Sequence, residues 1–149
     1  ARKHYINNTF IFKVNYSFMI LGLGLDIVTI SRITKIYKIK DQKFLARILT
    51  KNEIIQFNNF ALDSKKESFI AKRFAAKEAL AKAIGTGIGR IKFNEIEIYN
   101  NNNGKPEIKK NNKVNELVKE LFTVKDYQIN LSLSDDSDIA QAIVILSKK

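Results

Sequence analysis

Apolar and polar positions along the chain recur with two different periods, and the switches between them mark its elements. Met19 to Val28, MILGLGLDIV, is an apolar run holding two glycines and one acid, which predicts a mostly buried strand ending near Asp26. Ile30, Ile33, Ile36 and Tyr37 then recur at helical spacing while Arg32, Lys35 and Lys38 face elsewhere, so a helix is expected over about 29–38. Phe44, Leu45, Ile48 and Leu49 predict another short helix. Thr50-Lys51-Asn52-Glu53 has the Thr-x-x-Glu form of a capping box and opens a helix to about Phe60. Ser64-Lys65-Lys66-Glu67 repeats the device and opens the longest helix, which runs to about Ile84 through a stretch rich in alanine, a strong helix former. Gly85-Thr86-Gly87-Ile88-Gly89 stops it.

Beyond Gly89 the period shortens. Phe93, Ile96 and Ile98 approach strand alternation, and the Asn-rich stretch ending in Gly104-Lys105-Pro106 signals a turn, so a hairpin is expected with its second strand around Glu107 to Lys110. Val114, Leu117, Val118, Leu121 and Phe122 describe a short amphipathic helix, and two strands over about 127–134 and 139–146 close the chain. No internal repeat or domain linker interrupts this order. It mixes helices and strands without strict alternation, so the fold class is α+β.

Composition narrows the partners more than the fold. With 149 residues and 45% hydrophobic content, one domain can close its own core. Cysteine is absent, which excludes disulfides and thiolate metal sites and agrees with a reducing cytoplasm. A formal net charge of +11 favours partners that carry phosphates or carboxylates: nucleic acid, an anionic membrane surface, a phosphorylated small molecule or an acidic protein. Residues 1–18 hold three basic residues and no acid and stop before Met19, the one methionine, so they read as an upstream or appended extension to a domain of residues 19–149. Without them the balance is still 23 basic against 15 acidic residues. No apolar run is long enough for a bilayer span, and no signal-peptide core is present.

Charge meets rigid or glycine-rich backbone at three places: Asp26, the helix from Phe69 to Ile84, and the glycine loop after it. Arg73 and Lys77 are four residues apart on that helix, as are Glu78 and Lys82, so each pair shares a face. Arg73 and Lys77 could hold two phosphate oxygens. The acid between them and Lys82 could hold magnesium, which takes one or two carboxylates and completes its shell with water and substrate oxygens. The same spacing suits a surface ion pair worth about 0.2–0.5 kcal/mol, and Asp26 could equally cap a helix. An acid in so apolar a segment tips the balance toward a cation, because an unpaired buried carboxylate is costly. Gly22-Leu23-Gly24 begins like a dinucleotide fingerprint but lacks its last glycine, so a Rossmann reading is rejected. The loop from Gly85 to Gly89 follows a helix C-terminus, where the dipole is negative; it is either an amide nest acting with Lys82 or a tight helix-to-strand exit. The only histidine, His4, lies in the extension, and no Ser-His-Asp or Cys-His triad can be assembled.

Taken together, Gly22-Leu23-Gly24-Leu25-Asp26-Ile27-Val28 with Arg32, Phe69-Ile70-Ala71-Lys72-Arg73-Phe74-Ala75-Ala76-Lys77-Glu78-Ala79, Gly85-Thr86-Gly87-Ile88-Gly89 and Gly104-Lys105-Pro106 resemble the bacterial holo-acyl-carrier-protein synthases. These are the small, single-domain branch of the 4′-phosphopantetheinyl transferases, and the resemblance runs from Met19 to the C-terminus. It implies a 4′-phosphopantetheinyl transferase-like α+β fold, an antiparallel sheet packed against a long helix, assembled as a homotrimer with coenzyme A between subunits. It further implies Asp26 and Glu78 as magnesium ligands and Arg73, Lys77, Lys82, Gly85 and Thr86 as the coenzyme pocket. Glu78 and Lys82 stand as catalytic residues, and Arg32 as a contact to the acidic acyl carrier protein. The implied reaction moves phosphopantetheine from coenzyme A to a carrier-protein serine and releases 3′,5′-ADP, a cytoplasmic step of fatty acid biosynthesis.

One departure stands out: many relatives place a histidine where this chain has Asp135. An aspartate beside a polyphosphate repels it unless a cation intervenes, so Asp135 is assigned no role. The rival class, a nucleic-acid-binding module, is favoured by charge alone and lacks stacked aromatics, a helix-turn-helix or zinc spacing; neither nucleic acid nor membrane is expected as partner. A homologue that binds carrier protein without catalysis is the third reading.

Overall fold

The computed structural model describes residues 5–6, 9–10 and 19–149. In chain order it contains strands β1 (Tyr5–Ile6) and β2 (Thr9–Phe10), strand β3 (Met19–Thr29), and helices α1 (Ile30–Ile48), α2 (Lys51–Asn58) and α3 (Asp63–Ile84). A 3-10 turn (Phe93–Glu95), strands β4 (Ile98–Asn100) and β5 (Pro106–Ile108), helix α4 (Asn112–Phe122) and strands β6 (Tyr127–Asp136) and β7 (Ile139–Lys148) complete it. Apart from β1 and β2, which pair with each other, the reading of residues 1–18 as an extension falls outside the described residues.

β3, β7 and β6 form an antiparallel sheet in that order, with β7 in the middle; β4 and β5 form a separate hairpin. α3 lies across the sheet and from Phe69 to Ile84 is buried around most of its circumference, so its sequence carries almost no amphipathic period. Its sheet-facing core joins Ala75, Ala76, Ala79 and Leu80 to Val144, Leu146 and Val118. Its other side packs Phe69, Ile70 and Ala71 against Ile33, Leu45 and Phe57 of α1 and α2. The expected α+β class, with an antiparallel sheet on a long helix, is therefore the observed one.

Small residues let strand and helix approach closely. A Cβ built on Gly22 would lie 1.9 Å from the Ala83 carbonyl oxygen, and one on Gly24 would lie 1.9 Å from that of Ala79. The Gly-x-Gly of β3 thus serves backbone packing on α3, as a glycine in a strand interior often does, and owes nothing to a nucleotide fingerprint.

Three local expectations change. β3 is not mostly buried: it is an edge strand, and Leu23, Leu25 and Ile27 on its outer face remain 56%, 49% and 57% exposed because no described element covers them. The Ser64 capping box does not form, since α3 begins two residues earlier than the box implies, with Leu62 as N-cap and its carbonyl accepting from the Lys65 and Lys66 amides. The first two expected helices are joined as α1, broken at Asp41, whose φ of 41° and ψ of −122° are not helical. The Thr50 box forms as read, with Glu53 N–H donating to Thr50 Oγ1 and Thr50 N–H donating to Glu53 Oε2.

Candidate active site

Asp26 follows Gly22 and Gly24 on the face of β3 that rests on α3, so the glycine contact with Ala79 and Ala83 fixes its height above the helix. There Lys82 donates to Asp26 Oδ1 at 2.8 Å and to the Leu25 carbonyl at 2.9 Å. Asp26 does not cap a helix; that task falls to Asp138, which accepts from the Ser31 N–H and hydroxyl at the start of α1. Asp26 Oδ2 is buried and has no hydrogen-bond partner among the described residues. Glu78, one turn before Lys82, is half-buried. Burial first, and then the Asp26 carboxylate, hold its carboxyl above the usual glutamate range, with Lys82 pulling the other way. Two acids and a lysine from distant parts of the chain therefore meet at one place.

The other predicted residues separate. Lys77 is fully buried: it donates to Glu53 Oε2 at 2.5 Å and to the Ile48 carbonyl at 2.7 Å. Burial pushes its ammonium down to about 8. Its cation is committed to Glu53 and does not face a ligand, so the phosphate-holding reading of Lys77 finds no open face here. Arg73 also lies close to Glu53, with Nε 3.5 Å from Oε1, but its guanidinium stacks on Phe69 at 4.4 Å. Arg73 Nε has no hydrogen-bond partner among the described residues. The amides of Gly85 and Thr86 close the end of α3 by donating to Ala81 and Lys82 carbonyls, with Gly85 left-handed at φ 86°. This is the helix exit, and it spends two amides that an anion nest would need. Arg32 is exposed on α1.

Arg73 opens instead onto a cleft of about 1100 Å³, shared with Lys65, Lys72, Asn100, Pro106 and Asp135. A smaller apolar groove of about 300 Å³ runs along α1, floored by Phe44 and by Phe74 stacked on Phe93 at 5.0 Å, and rimmed by Lys40, Lys43 and Arg47.

A family model described as the 4′-phosphopantetheinyl transferase superfamily matches residues 22–141, from the first glycine of β3 to the start of β7. The chain belongs to this superfamily. It is 43% identical to a holo-[acyl-carrier-protein] synthase of Ehrlichia ruminantium over 136 residues, covering 88% of this chain and 99% of that one. The crystal structure of the synthase from Neisseria meningitidis superposes with a TM-score of 0.77 at 39% identity, covering 87% of this chain and all of that one. The synthase from Bacillus anthracis, in complex with CoA (3′,5′-ADP), gives a TM-score of 0.73 at 36% identity, covering 88% and 99%. This phosphopantetheinyl transferase is accordingly an enzyme of the holo-acyl-carrier-protein synthase kind.

Sequence reasoning on the transferase missed Glu53 as a buried ion-pair centre, Lys65 and Lys72 as cleft residues, and the partners of Asp135. Glu53 announced itself only as a capping residue, because its contacts to Lys77 and to the Ile98 N–H span 24 and 45 residues. Asp135 is not left to repel a ligand, since Ser68 and Lys72 both donate to it.

The raised pKa of Glu78 has a sign that can be checked on the metal-free transferase. A carboxyl whose folded value lies above its unfolded one adds stability below the unfolded value and loses it as pH rises through the folded value. At neutral pH the ionised Glu78 therefore strains the fold. Glu78→Gln is expected to raise the Tm at pH 7 and to lose that advantage in acid, where the wild-type carboxyl is protonated. A lower Tm at pH 7 in calorimetry would contradict this environment.

Proposed function

We propose that the chain transfers 4′-phosphopantetheine from coenzyme A to a serine of apo-acyl carrier protein with magnesium as cofactor. The observation that carries this reading is the convergence of Asp26, Glu78 and Lys82 at the β3–α3 contact. The donor set suits magnesium. Asp26 Oδ2 is a buried oxygen in want of a partner, and no cluster of three or more His, Asp or Glu exists among the described residues to make a closed cage. One or two carboxylates leaving the remaining positions to water and phosphate oxygens is how magnesium is usually held.

In this reading Asp26 and Glu78 would hold the ion, which when bound draws charge from the diphosphate. Lys82, half-exposed and tethered by the Leu25 carbonyl, is placed to offset negative charge gathering on the departing 3′,5′-ADP. The chain's remaining work is positioning, since phosphoryl transfer asks little covalent chemistry of a protein. With Glu78 given over to holding the ion, the serine proton would pass to water. Arg73 fits the coenzyme cleft, while Lys77 serves it by holding Glu53 and α2 in place. Gly85 and Thr86 would border the coenzyme with the Thr86 hydroxyl as the group nearest to hand.

The outer face of β3 is read as the subunit contact of a homotrimer. Leu23, Leu25, Ile27 and Ile139 present an exposed apolar strip of the sort that marks an association surface. Leu25→Glu should convert the assembly to monomers in light scattering; a wild-type monomer would remove the trimer. The basic rim of the α1 groove around Phe44, Phe74 and Phe93, with Arg32 farther along the helix, suits an acidic carrier protein and makes encounter sensitive to salt. Placing the transferase domain in residues 19–149 is supported by the match over 22–141, and a cytoplasmic step of fatty acid biosynthesis is the setting in which such a product is used. No helix among the described residues is long and apolar enough to cross a membrane.

The direct test is mass spectrometry of apo-carrier protein incubated with the chain, coenzyme A and magnesium. A gain of one phosphopantetheine per carrier is expected, and no gain across conditions would sink the proposal.

A further inference from the structure

β3 ends at Thr29 and α1 begins at Ile30, so strand and helix meet with no loop between them, and Arg32 follows Asp26 by six residues. The direction in which α1 leaves the strand therefore sets where its charged face stands relative to the Asp26 carboxylate. The helix does little to fix that direction by itself. Its N-cap, Thr29, makes no side-chain hydrogen bond, and its first turn holds no acid to meet the positive end of the helix dipole.

Asp138 supplies both from 107 residues beyond Ser31. The Ile30 N–H donates to its carbonyl at 2.8 Å, the Ser31 N–H to Oδ1 at 2.8 Å and the Ser31 hydroxyl to Oδ2 at 2.7 Å. The Ser31 bonds, hydroxyl first, hold the Asp138 carboxyl below the usual aspartate range, so it serves in its ionised form. The β6–β7 turn puts it there. Asp136 pairs with Ile139, which leaves Ser137 and Asp138 as a two-residue turn, and Ser137 takes a left-handed φ of 55° that residues other than glycine seldom adopt. Ile139 in turn pairs with Thr29, so the turn is joined to the last residue of β3 and to the first two of α1. Burial of Ile33, Phe44, Leu45 and Ile48 already holds α1 to the core. What the three bonds add is the orientation of its first turn, where Arg32 and Lys35 are exposed.

We propose that Asp138 is a positioning residue for the carrier protein: by gripping Ser31 it aims Arg32 and the first turn of α1 at the docking partner. This rests on the reading of the chain as a transferase whose acidic partner meets α1. Asp138 also borders the large cleft, but both its carboxylate oxygens are taken by Ser31, so its loss should be felt by the carrier and not by coenzyme A.

Steady-state transfer by the full chain, with apo-carrier protein varied at saturating coenzyme A and then the reverse, separates the two substrates. Asp138→Ala should raise the KM for carrier roughly threefold to tenfold, the scale of a lost helix cap. The KM for coenzyme A and the kcat should stay within about twofold, because saturating carrier restores the docked arrangement. Asp138→Asn keeps an acceptor for the Ser31 N–H and should recover most of the loss. Ser31→Ala should raise the carrier KM about twofold or more and add little on top of Asp138→Ala; it keeps the test open should Asp138→Ala not fold. A merely structural cap would lower the Tm and leave the carrier KM unchanged in these variants, and that result overturns the proposal. A coenzyme A KM that rises as far as the carrier KM overturns it too. If the wild type transfers phosphopantetheine while Asp138→Ala keeps the wild-type carrier KM, this assignment alone is removed. A wild type that transfers nothing removes the transferase reading and this one with it.

Discussion

Alanine at Glu78 or at Asp26 should lower phosphopantetheine transfer by about a thousandfold or more, because Lewis-acid stabilisation by a bound metal contributes several kcal/mol to such a transition state. The fold should survive both changes. Glu78 is half-buried and makes no hydrogen bond that closes the core, and Asp26 binds only the half-exposed Lys82. The two variants should also lose any rise in Tm that magnesium gives the wild type, since ligands stabilise only the state that binds them. Near-normal turnover in both, with circular dichroism unchanged, would take the metal away from these acids. Asp26→Asn and Glu78→Gln keep the shapes and remove the charges; they should lose activity nearly as fully, which separates charge from packing.

The largest effect on stability is expected at Glu53. This carboxylate has no exposed surface and collects Lys77, the Thr50 N–H and the Ile98 N–H, with Arg73 Nε at 3.5 Å. Glu53→Ala strands the Lys77 ammonium in the core, and removing one member of a buried pair costs about 3–5 kcal/mol. A domain of ordinary stability has about 5–15 kcal/mol in all, so the variant should melt at least about 10 °C lower or fail to fold. Adding Lys77→Met should recover part of the loss, because an apolar side chain of similar length leaves no uncompensated charge. A Glu53→Ala protein less than about 1 kcal/mol down in urea denaturation would show that the cluster is solvated.

Local signals in the sequence were sufficient for the elements and for part of the site. The Thr50 box, the αL exit at Gly85 and the closing strands follow from nearest-neighbour chemistry, and the structure has them. Asp26, Glu78 and Lys82 could be named as separate charged residues, but only the antiparallel β3–β7 register and the seating of β3 on α3 bring them together. Lys77 illustrates the opposite case. Helical spacing places it beside Arg73, yet it turns inward because an acid 24 residues earlier is buried next to it. Spacing along one helix cannot reveal what another element will bring to its face. The apolar run of β3 misled for a related reason: hydrophobicity shows that a surface avoids water, and does not show whether this chain or another copy will cover it.

Gly22 and Gly24 press against carbonyl oxygens, not side chains. Every amino acid carries that oxygen, so trimming Ala79 or Ala83 could not make room for a methyl group at either position. Genetic suppressors of a substitution there should not arise on α3. Divergence in this lineage can reshape the charged cleft residue by residue, while the seam beneath it stays closed to drift.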